Sequence, residues 1–299
     1  MSQEVTPELR RWIVEQATAG FEPDAVLKAM TDAGWDEAVA LTALEATLSA
    51  HLAQHRPAQA TVQQAPAAAP VVSADASAAF HPVVPQPDLR GSPRQLDAGD
   101  RTVDVIVSLR RPPLVVFGNL LSDEECDALV ALARPRMSRS LTVETASGGE
   151  AVNADRTSNG MFFRRGETEL IARVEARIAR LLNWPVENGE GLQVLQYRPG
   201  AEYKPHYDYF DPREPGTANI TRRGGQRVGT LVMYLSEPVR GGGTTFPDVG
   251  LEVSPQRGHA VFFAYDRPHP ATQTLHGGAP VLEGEKWVAT KWLREREFT

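Results

Sequence analysis

The sequence predicts an α+β protein in which a double-stranded β-helix (jelly roll) braced by helices follows a small three-helix module. Three observations support this fold class. Residues 6–53 show helical periodicity, residues 54–100 are rich in Ala and Pro, and the remainder starts with two helix patterns and continues as short strands. Helices followed by an antiparallel run of strands favour a barrel with helices packed on one face.

Residues 1–53 are predicted to form three short helices. Thr6 can cap a helix that has Pro7 at its first position, Pro23 begins the second pattern, and Asp36 begins the third. The third pattern carries four leucines at helical spacing, namely Leu41, Leu44, Leu48 and Leu52. This segment resembles a ubiquitin-associated-type module, which implies recognition of a protein partner through an apolar patch. The alternative is a packing extension of the second domain.

Residues 54–100 are predicted to be a flexible linker. The segment is dominated by Ala, Pro, Gln and Val, and its prolines are spread along its length. Chains of this composition stay extended or disordered. The linker would therefore tether the helical module rather than dock it rigidly.

The second domain is predicted to span residues 101–299. It begins with strand patterns at 103–109 and 114–117, and Ser122 with Glu125 has the spacing of a capping box for a helix that continues to about Ala133. A second helix is predicted over 167–182. Short strands follow at 192–197, 227–235, 251–253, 259–264 and 287–293.

A His-x-Asp tripeptide, formed by His206 and Asp208, is the candidate metal site. Alternate residues of a strand project from one face, so both side chains can bind one metal from the same side. With His276 as third ligand, two imidazoles and one carboxylate leave coordination positions open for a cosubstrate and dioxygen, as iron(II) oxygenases require. Zinc hydrolases favour tighter tetrahedral sites with one open position.

Two other histidines compete for the place of third ligand. His259 lies in an apolar strand pattern, where histidine usually packs, and His269 sits between two prolines in a loop pattern. Only His276 is followed by a glycine-proline turn and then by Lys286, a cation that could pair with a carboxylate. The last strand pattern puts Lys286 on the face of Val288, Thr290 and Trp292, whereas Lys291 is on the other face.

Four motifs surround these residues: GGGTTFP at 241–247, GHAVFF at 258–263, LHGGAPV at 275–281 and GEKW at 284–287. With them, the chain from about residue 104 to the C-terminus resembles the prolyl 4-hydroxylase family of 2-oxoglutarate- and iron(II)-dependent dioxygenases. The resemblance implies that His206, Asp208 and His276 bind iron and that Lys286 pairs with the distal carboxylate of 2-oxoglutarate. It also implies the same barrel fold.

Further positions match residues of that family. Tyr197 and Tyr203 match tyrosines near 2-oxoglutarate and the iron, although strand aromatics also fill barrels. Thr230 matches a threonine that hydrogen-bonds the cosubstrate carboxylate, and Trp292 either lines the same pocket or packs beneath it. One departure is Gly243, which stands where the family commonly has an acid and leaves the loop less charged. The Gly- and Pro-rich loop 211–225 is expected to be mobile and to close over substrate.

The resemblance implies hydroxylation of a prolyl residue in a peptide or protein, coupled to decarboxylation of 2-oxoglutarate to succinate and CO2. The implied cofactors are Fe(2+), 2-oxoglutarate and O2, with L-ascorbate as the reductant that rescues oxidised iron. The residues alone leave another side chain or a free amino acid open as substrate. A non-catalytic adaptor and a metal-dependent isomerase on a cupin barrel are further alternatives, but the complete residue set and Lys286 argue against them.

Composition limits the remaining function classes. A net charge of −7 and a pI near 5.6 argue against non-specific nucleic-acid binding. The polar start of the chain lacks the pattern of a signal peptide and no stretch has the length of a membrane span, so a cytoplasmic location is expected. Cys126 is the only cysteine, which excludes an internal disulfide and a thiolate zinc cluster.

Overall fold

The computed structural model describes residues 5–18, 23–36, 39–44, 46–47, 84–139, 141–144, 149–152 and 156–299. The chain divides into two compact units, Met1–Ala76 and Ser77–Thr299, and each is described by itself. Within the described residues, no helix has both the length and the apolar character needed to cross a bilayer.

The N-terminal unit contains helix α1 (Pro7–Thr18), helix α2 (Pro23–Asp32) and helical residues at 39–44 and 46–47. Both α1 and α2 begin at the predicted prolines. The Thr6 hydroxyl accepts a hydrogen bond from the amide of Leu9 at 3.3 Å, as expected of an N-cap. A cluster of buried apolar side chains joins the helices, formed by Ile13, Val26, Met30, Ala40, Ala43 and Leu44. Leu48 and Leu52 lie outside the described residues.

Seventeen strands are described in the second unit. They are β1 Gln95–Asp97, β2 Thr102–Leu109, β3 Leu114–Gly118, β4 Ser138–Arg139, β5 Leu141–Glu144, β6 Gly149–Val152, β7 Asn159–Phe163, β8 Leu192–Tyr197, β9 Tyr203–His206, β10 Arg227–Tyr234, β11 Arg240–Gly241, β12 Thr244–Phe246, β13 Leu251–Val253, β14 Ala260–Ala264, β15 His276–Gly278, β16 Val281–Glu283 and β17 Lys286–Arg294.

Two antiparallel sheets organise this unit. A nine-stranded sheet has the order β1-β2-β3-β14-β10-β17-β8-β7-β4, and a four-stranded sheet has the order β13-β12-β15-β9. Two apolar cores lie on the two faces of the larger sheet. The one that we call the second core takes side chains from both sheets, for example Val261 and Val288 from the larger and Phe246 from the smaller. The larger sheet turns its other face, with Leu231 and Phe262, to a first core shared with helices. This architecture agrees with the predicted jelly roll braced by helices on one face.

Helices α3 (Asp123–Ala133) and α4 (Glu169–Leu182) cover the larger sheet. The predicted capping box is confirmed, because the Ser122 hydroxyl accepts from the Glu125 amide and the Glu125 carboxylate accepts from the Ser122 amide. Helix α4 is capped by Thr168 and buries one apolar stripe against the first core. The two helices therefore fix the back of the sheet whose front forms the second core.

The predicted linker boundary at residue 100 differs from the structure. Strand β1 pairs with β2, and Val84, Leu89 and Leu96 pack against the first core. Strand Gln95–Asp97 has only three residues and one apolar side chain, which is too short a pattern to reveal a strand in the sequence. The folded unit thus includes residues 84–100, while the rest of the predicted linker, residues 54–83, lies outside the described residues.

A buried ion pair joins α4 to β17. Lys291 donates to the carboxylate of Glu175 at 2.5 Å and also to the backbone oxygen of Glu190. Both charged side chains are almost fully buried, with 2% and 1% of their surfaces exposed. The other oxygen of Glu175 accepts from the Gly166 amide at 2.8 Å. Both side chains therefore have hydrogen-bond partners, and each provides the counter-ion that keeps the other charged in the interior.

We therefore expect Lys291→Met to destabilise the protein by about 3–5 kcal/mol, because it leaves the Glu175 carboxylate buried without a counter-ion. Urea unfolding measures this change. The double variant Lys291→Met/Glu175→Leu is the control and should recover most of the loss, since no buried charge is left. A single variant within about 1 kcal/mol of wild type would contradict the account.

Candidate iron and 2-oxoglutarate site

Strands β9 and β15 bring the two predicted imidazole ligands together. They pair antiparallel in the four-stranded sheet, with His276 directly opposite His206. Strand β9 ends at His206, because β15 begins at His276 and offers no partner beyond it. Asp208 therefore lies two residues past the strand, and the prediction of one strand running through both residues is wrong. The three side chains nevertheless converge.

His206, Asp208 and His276 form a cluster of potential metal donors. One donor atom from each lies within 4.8 Å of the others, and no other group of this kind occurs in the part of the chain that the structure describes. The Nε2 atom of His276 is 3.4 Å from Oδ2 of Asp208, and Nε2 of His206 is 3.7 Å from Oδ1. Asp208 and His276 are buried, whereas His206 is half-buried at the cavity edge.

The protonation pattern of the cluster suits a divalent metal. Nδ1 of His206 lies 2.8 Å from the Lys204 carbonyl oxygen, and Nδ1 of His276 lies 3.0 Å from that of Thr274. A carbonyl only accepts, so each Nδ1 carries the proton and each Nε2 keeps its lone pair. Burial and the neighbouring His276 lower the pKa of His206. Burial opposes ionisation of Asp208, but the imidazoles attract the carboxylate and donate to it whenever their Nε2 atoms are also protonated, and this holds the pKa of Asp208 well below the ordinary value. A bound cation would take the place of those Nε2 protons.

Thr230 and Tyr265 support Asp208 from behind. The Thr230 hydroxyl donates to Oδ2 of Asp208 at 2.7 Å and lies 3.0 Å from the hydroxyl of Tyr265. Thr230 has one hydroxyl proton, and the Asp208 carboxylate takes it in this structure. The role of Thr230 as a donor to the cosubstrate carboxylate stays a prediction. Burial, reinforced by the charge of Asp208, raises the pKa of Tyr265 well above its ordinary value, so its hydroxyl remains protonated.

Lys286 marks the other end of the cavity. Its side chain is 3% exposed, and burial lowers its pKa to about 8 despite the opposing influence of Glu252. The ammonium lies 5.4 Å from the ring centroid of Tyr197 and 5.8 Å from that of Tyr234. Among the described residues no carboxylate forms an ion pair with Lys286. A buried ammonium without an ion-pair partner favours the binding of an anionic ligand.

Thr244 is a site residue that sequence reasoning missed. It lines the cavity together with Lys286, and its hydroxyl accepts from the Tyr234 hydroxyl at 2.8 Å. Because Tyr234 supplies that proton, the proton of Thr244 can be donated to an acceptor in the cavity. The glycine-rich run at 241–247 contains two adjacent threonines, Thr244 and Thr245. The sequence does not show which of them faces the cavity, whereas strand β12 buries Thr244.

Gly243 does not leave its surroundings uncharged. A Cβ atom at position 243 would lie 2.0 Å from Oε1 of Glu252, a residue of the adjacent strand β13. The Glu252 side chain thus fills the space beside Gly243 and supplies the negative charge that acts on Lys286. The loop itself lacks an acid, as expected from the sequence, but Glu252 of the neighbouring strand places a carboxylate beside it.

Aromatic and guanidinium groups cover the metal end of the cavity. The Tyr203 ring stacks on the His206 imidazole with centroids 3.7 Å apart, and the Arg156 guanidinium lies 5.0 Å from the Tyr203 ring. The Arg227 guanidinium lies 4.0 Å from the Trp292 ring. The indole Nε1 of Trp292 is buried and has no hydrogen-bond partner in the described part of the chain. It therefore offers a donor to a ligand.

All eight predicted site residues line one cavity: Tyr197, Tyr203, His206, Asp208, Thr230, His276, Lys286 and Trp292. The predicted alternation on β17 is confirmed, since Val288 and Thr290 line the same cavity while Lys291 pairs with Glu175. The competing histidines do not belong to the cluster. His269 caps the turn that begins at Pro270. His259 does not line the cavity, and burial lowers its pKa.

The loop 211–225 has internal structure. It contains the short helix α5 (Thr217–Ile220), and the Thr217 hydroxyl donates to the Asp211 carbonyl at 2.6 Å. The side-chain amide of Gln226 closes the base of the loop by bonding both the amide and the carbonyl of Phe210 at 2.8 Å. These contacts fix where the loop leaves and rejoins the barrel beside Asp208.

Comparisons with known proteins agree with this site. Residues 192–294 match the 2OG-Fe(II) oxygenase superfamily. Prolyl 4-hydroxylase 5 of Arabidopsis thaliana is 41% identical over 221 residues, which cover 67% of this chain and 74% of that protein. Prolyl 4-hydroxylase 1 of the same plant is 42% identical over 203 residues, covering 62% and 70%. A solved structure of the viral collagen prolyl hydroxylase from Paramecium Bursaria Chlorella virus-1 in its 2OG complex is 31% identical and has a TM-score of 0.46, with 60% and 95% of the chains covered.

The match to Prolyl 4-hydroxylase 5 extends over most of the length of that protein. The range that matches the superfamily, residues 192–294, includes His206, Asp208, His276 and Lys286. The chain belongs to the prolyl 4-hydroxylase family and is a 2-oxoglutarate- and iron(II)-dependent dioxygenase.

Proposed function

We propose that the protein hydroxylates a prolyl residue in a peptide or protein, with 2-oxoglutarate as cosubstrate. The observation that carries the proposal is one cavity with a His-Asp-His donor cluster at one end and a buried, unpaired lysine at the other. Family membership favours proline over other side chains and over free amino acids. L-ascorbate as a reductant and a cytoplasmic location are also part of the proposal, on the resemblance and the composition alone.

The donor cluster fits iron(II). Two neutral imidazoles and one ionised carboxylate form the 2-His-1-carboxylate set of non-haem iron oxygenases. His206, Asp208 and His276 would hold the metal, which supplies the dioxygen chemistry when bound. The protein's own task is positioning: the Lys204 and Thr274 carbonyls orient the imidazoles.

The far end of the cavity fits a dicarboxylate. The Lys286 ammonium lacks an ion-pair partner among the described residues, and the Thr244 proton is free for an acceptor. A carboxylate placed between them would receive two hydrogen bonds, one of them charge-assisted. Tyr197 would close this end through its contact with the ammonium.

The mouth of the cavity fits an extended peptide. Tyr203 is half-buried beside the metal cluster, and Trp292 lines the same cavity with a buried indole N–H that has no partner among the described residues. Proline-rich segments in the polyproline II conformation bind aromatic-lined grooves and leave their carbonyls free to accept. The loop 211–225 joins the barrel at Phe210 and would close over such a peptide.

We expect the iron-loaded protein to form succinate from 2-oxoglutarate at a rate stimulated by a proline-rich peptide, with hydroxyproline formed in equal amount. His206→Ala should lose both products, because one of the three metal donors is gone. Mass spectrometry of the peptide and a succinate assay measure the two. His269→Ala is the matched control, since this histidine lies outside the cluster. Succinate formation that no proline-containing peptide stimulates would exclude proline as the substrate.

The binding of 2-oxoglutarate should depend on pH through Lys286. The ammonium is the form that binds a carboxylate, and the pKa of Lys286 in the empty site is about 8. Lys286 is therefore fully protonated well below pH 8, and the affinity for 2-oxoglutarate should fall about tenfold for each pH unit above its pKa of about 8. Calorimetric titration of 2-oxoglutarate from pH 6 to 10 measures the profile.

Lys286→Met should raise the dissociation constant about 10- to 100-fold at pH 7 and remove this pH dependence. The double variant Lys291→Met/Glu175→Leu serves as the comparison, because Lys291 faces the other side of β17 and the double variant removes both charges of the buried pair. A pH profile unchanged in Lys286→Met would contradict the assignment.

The N-terminal helical unit is proposed to recognise a protein substrate or partner. Its helices enclose their own apolar cluster, so the unit has a core independent of the barrel. Removal of residues 1–83 spares Val84 and Leu89, which pack on the catalytic unit. We expect this truncation to keep kcat on short peptides and to raise KM on a protein substrate. If the full chain and the truncated chain have equal KM values for the protein substrate, the unit is a packing extension.

A further inference from the structure

We infer that Tyr265 is a positioning residue for the metal: it acts through Thr230 to fix the orientation of the Asp208 carboxylate. The inference rests on the proposed function of the His206-Asp208-His276 cluster as the metal site. Tyr265 itself does not line the cavity that contains this cluster, so it acts only through the residues between.

The three residues form a directional chain of hydrogen bonds. The only proton between Thr230 and Asp208 is that of the Thr230 hydroxyl, and it bonds Oδ2 at 2.7 Å. The lone pair left on Thr230 must then accept, so the Tyr265 hydroxyl, 3.0 Å away, is the donor. Donation by Tyr265 makes the Thr230 hydroxyl a stronger donor to the carboxylate.

The backbone holds this chain in place. Thr230 lies in β10, a strand bonded on both sides, opposite Phe263 of β14 and Trp292 of β17. Tyr265 follows β14 directly, and its amide donates to the Val228 carbonyl at 3.1 Å. Neither side chain has room to turn away, since 0% of Thr230 and 2% of Tyr265 is exposed.

The chain of hydrogen bonds fixes the rotation of the Asp208 carboxylate. Because this carboxylate lies beyond the end of β9, no strand pairing holds the residue in place. The bond from Thr230 to Oδ2 holds the side chain instead, with Oδ1 facing Nε2 of His206 and Oδ2 facing Nε2 of His276. A metal held by the three residues would therefore meet a carboxylate that is already oriented. Outer partners of this kind typically change metal affinity about 10- to 100-fold.

The test measures Mn²⁺ affinity of the full-length protein by electron paramagnetic resonance, without cosubstrate or turnover. We expect Tyr265→Phe to weaken Mn²⁺ binding about 3- to 10-fold. Thr230→Val should weaken it about 10- to 100-fold, and Thr230→Ser, which keeps the hydroxyl, should restore it. The variant Tyr265→Phe/Thr230→Val should equal Thr230→Val alone, because Tyr265 acts only through Thr230.

Tyr234→Phe is the matched control. It removes another buried tyrosine hydroxyl that donates to a threonine, but at the Lys286 end of the cavity, so Mn²⁺ affinity should stay within about twofold of wild type. Circular dichroism checks that each variant is folded. If Thr230→Val does not fold, the single variants Tyr265→Phe and Thr230→Ser are enough to test the inference.

Two negative results are distinguishable. Folded Tyr265→Phe with wild-type Mn²⁺ affinity, or effects of Tyr265→Phe and Thr230→Val that add, would overturn this inference alone. Absence of Mn²⁺ binding by the wild-type protein, or binding that His206→Ala leaves intact, would overturn the metal site and this inference together.

Discussion

The pairing of β9 with β15 is the constraint on which the site depends. It sets His206 opposite His276, so the two imidazoles meet although 69 residues of chain separate them. The four-stranded sheet that contains this pair packs its inner face on the nine-stranded sheet. The two histidine donors therefore lie on the smaller sheet and Asp208 lies just beyond its strand β9. Thr230, which holds the carboxylate, and Lys286 lie on the larger sheet.

Charge is distributed along the cavity in a way that orients a ligand. An ionised carboxylate and two imidazoles occupy one end, and a buried ammonium occupies the other. The interior strengthens both fields, because little water is present to screen them. A dicarboxylate that carries a keto group near one end can bind the metal with that end and Lys286 with the other. The same burial that lowers the pKa of Lys286 makes its pairing with an anion favourable.

Much of the site is readable from the sequence. Spacing and motif order predicted the cluster of His206, Asp208 and His276 together with Lys286, and the structure brings all four into one cavity. Asp208 lies beyond the end of β9, so strand alternation does not account for its position. Tyr265 and Glu252 could not be found in this way, since their roles depend on how β14 pairs with β10 and how β13 pairs with β12. The strand at Gln95–Asp97 was missed for another reason: three residues are too few for an alternation to be recognised, and they are ordered by pairing with β2.

Donor geometry and buried charge together support one claim, that this cavity binds iron(II) and 2-oxoglutarate as a chelate pair. The most direct measurement is an anaerobic titration of 2-oxoglutarate into the iron(II)-loaded protein, followed by metal-to-ligand charge-transfer absorption. The account predicts a visible band that saturates at one 2-oxoglutarate per protein and does not form in Asp208→Ala. Binding of 2-oxoglutarate without any such band, or an equal band in Asp208→Ala, would contradict it.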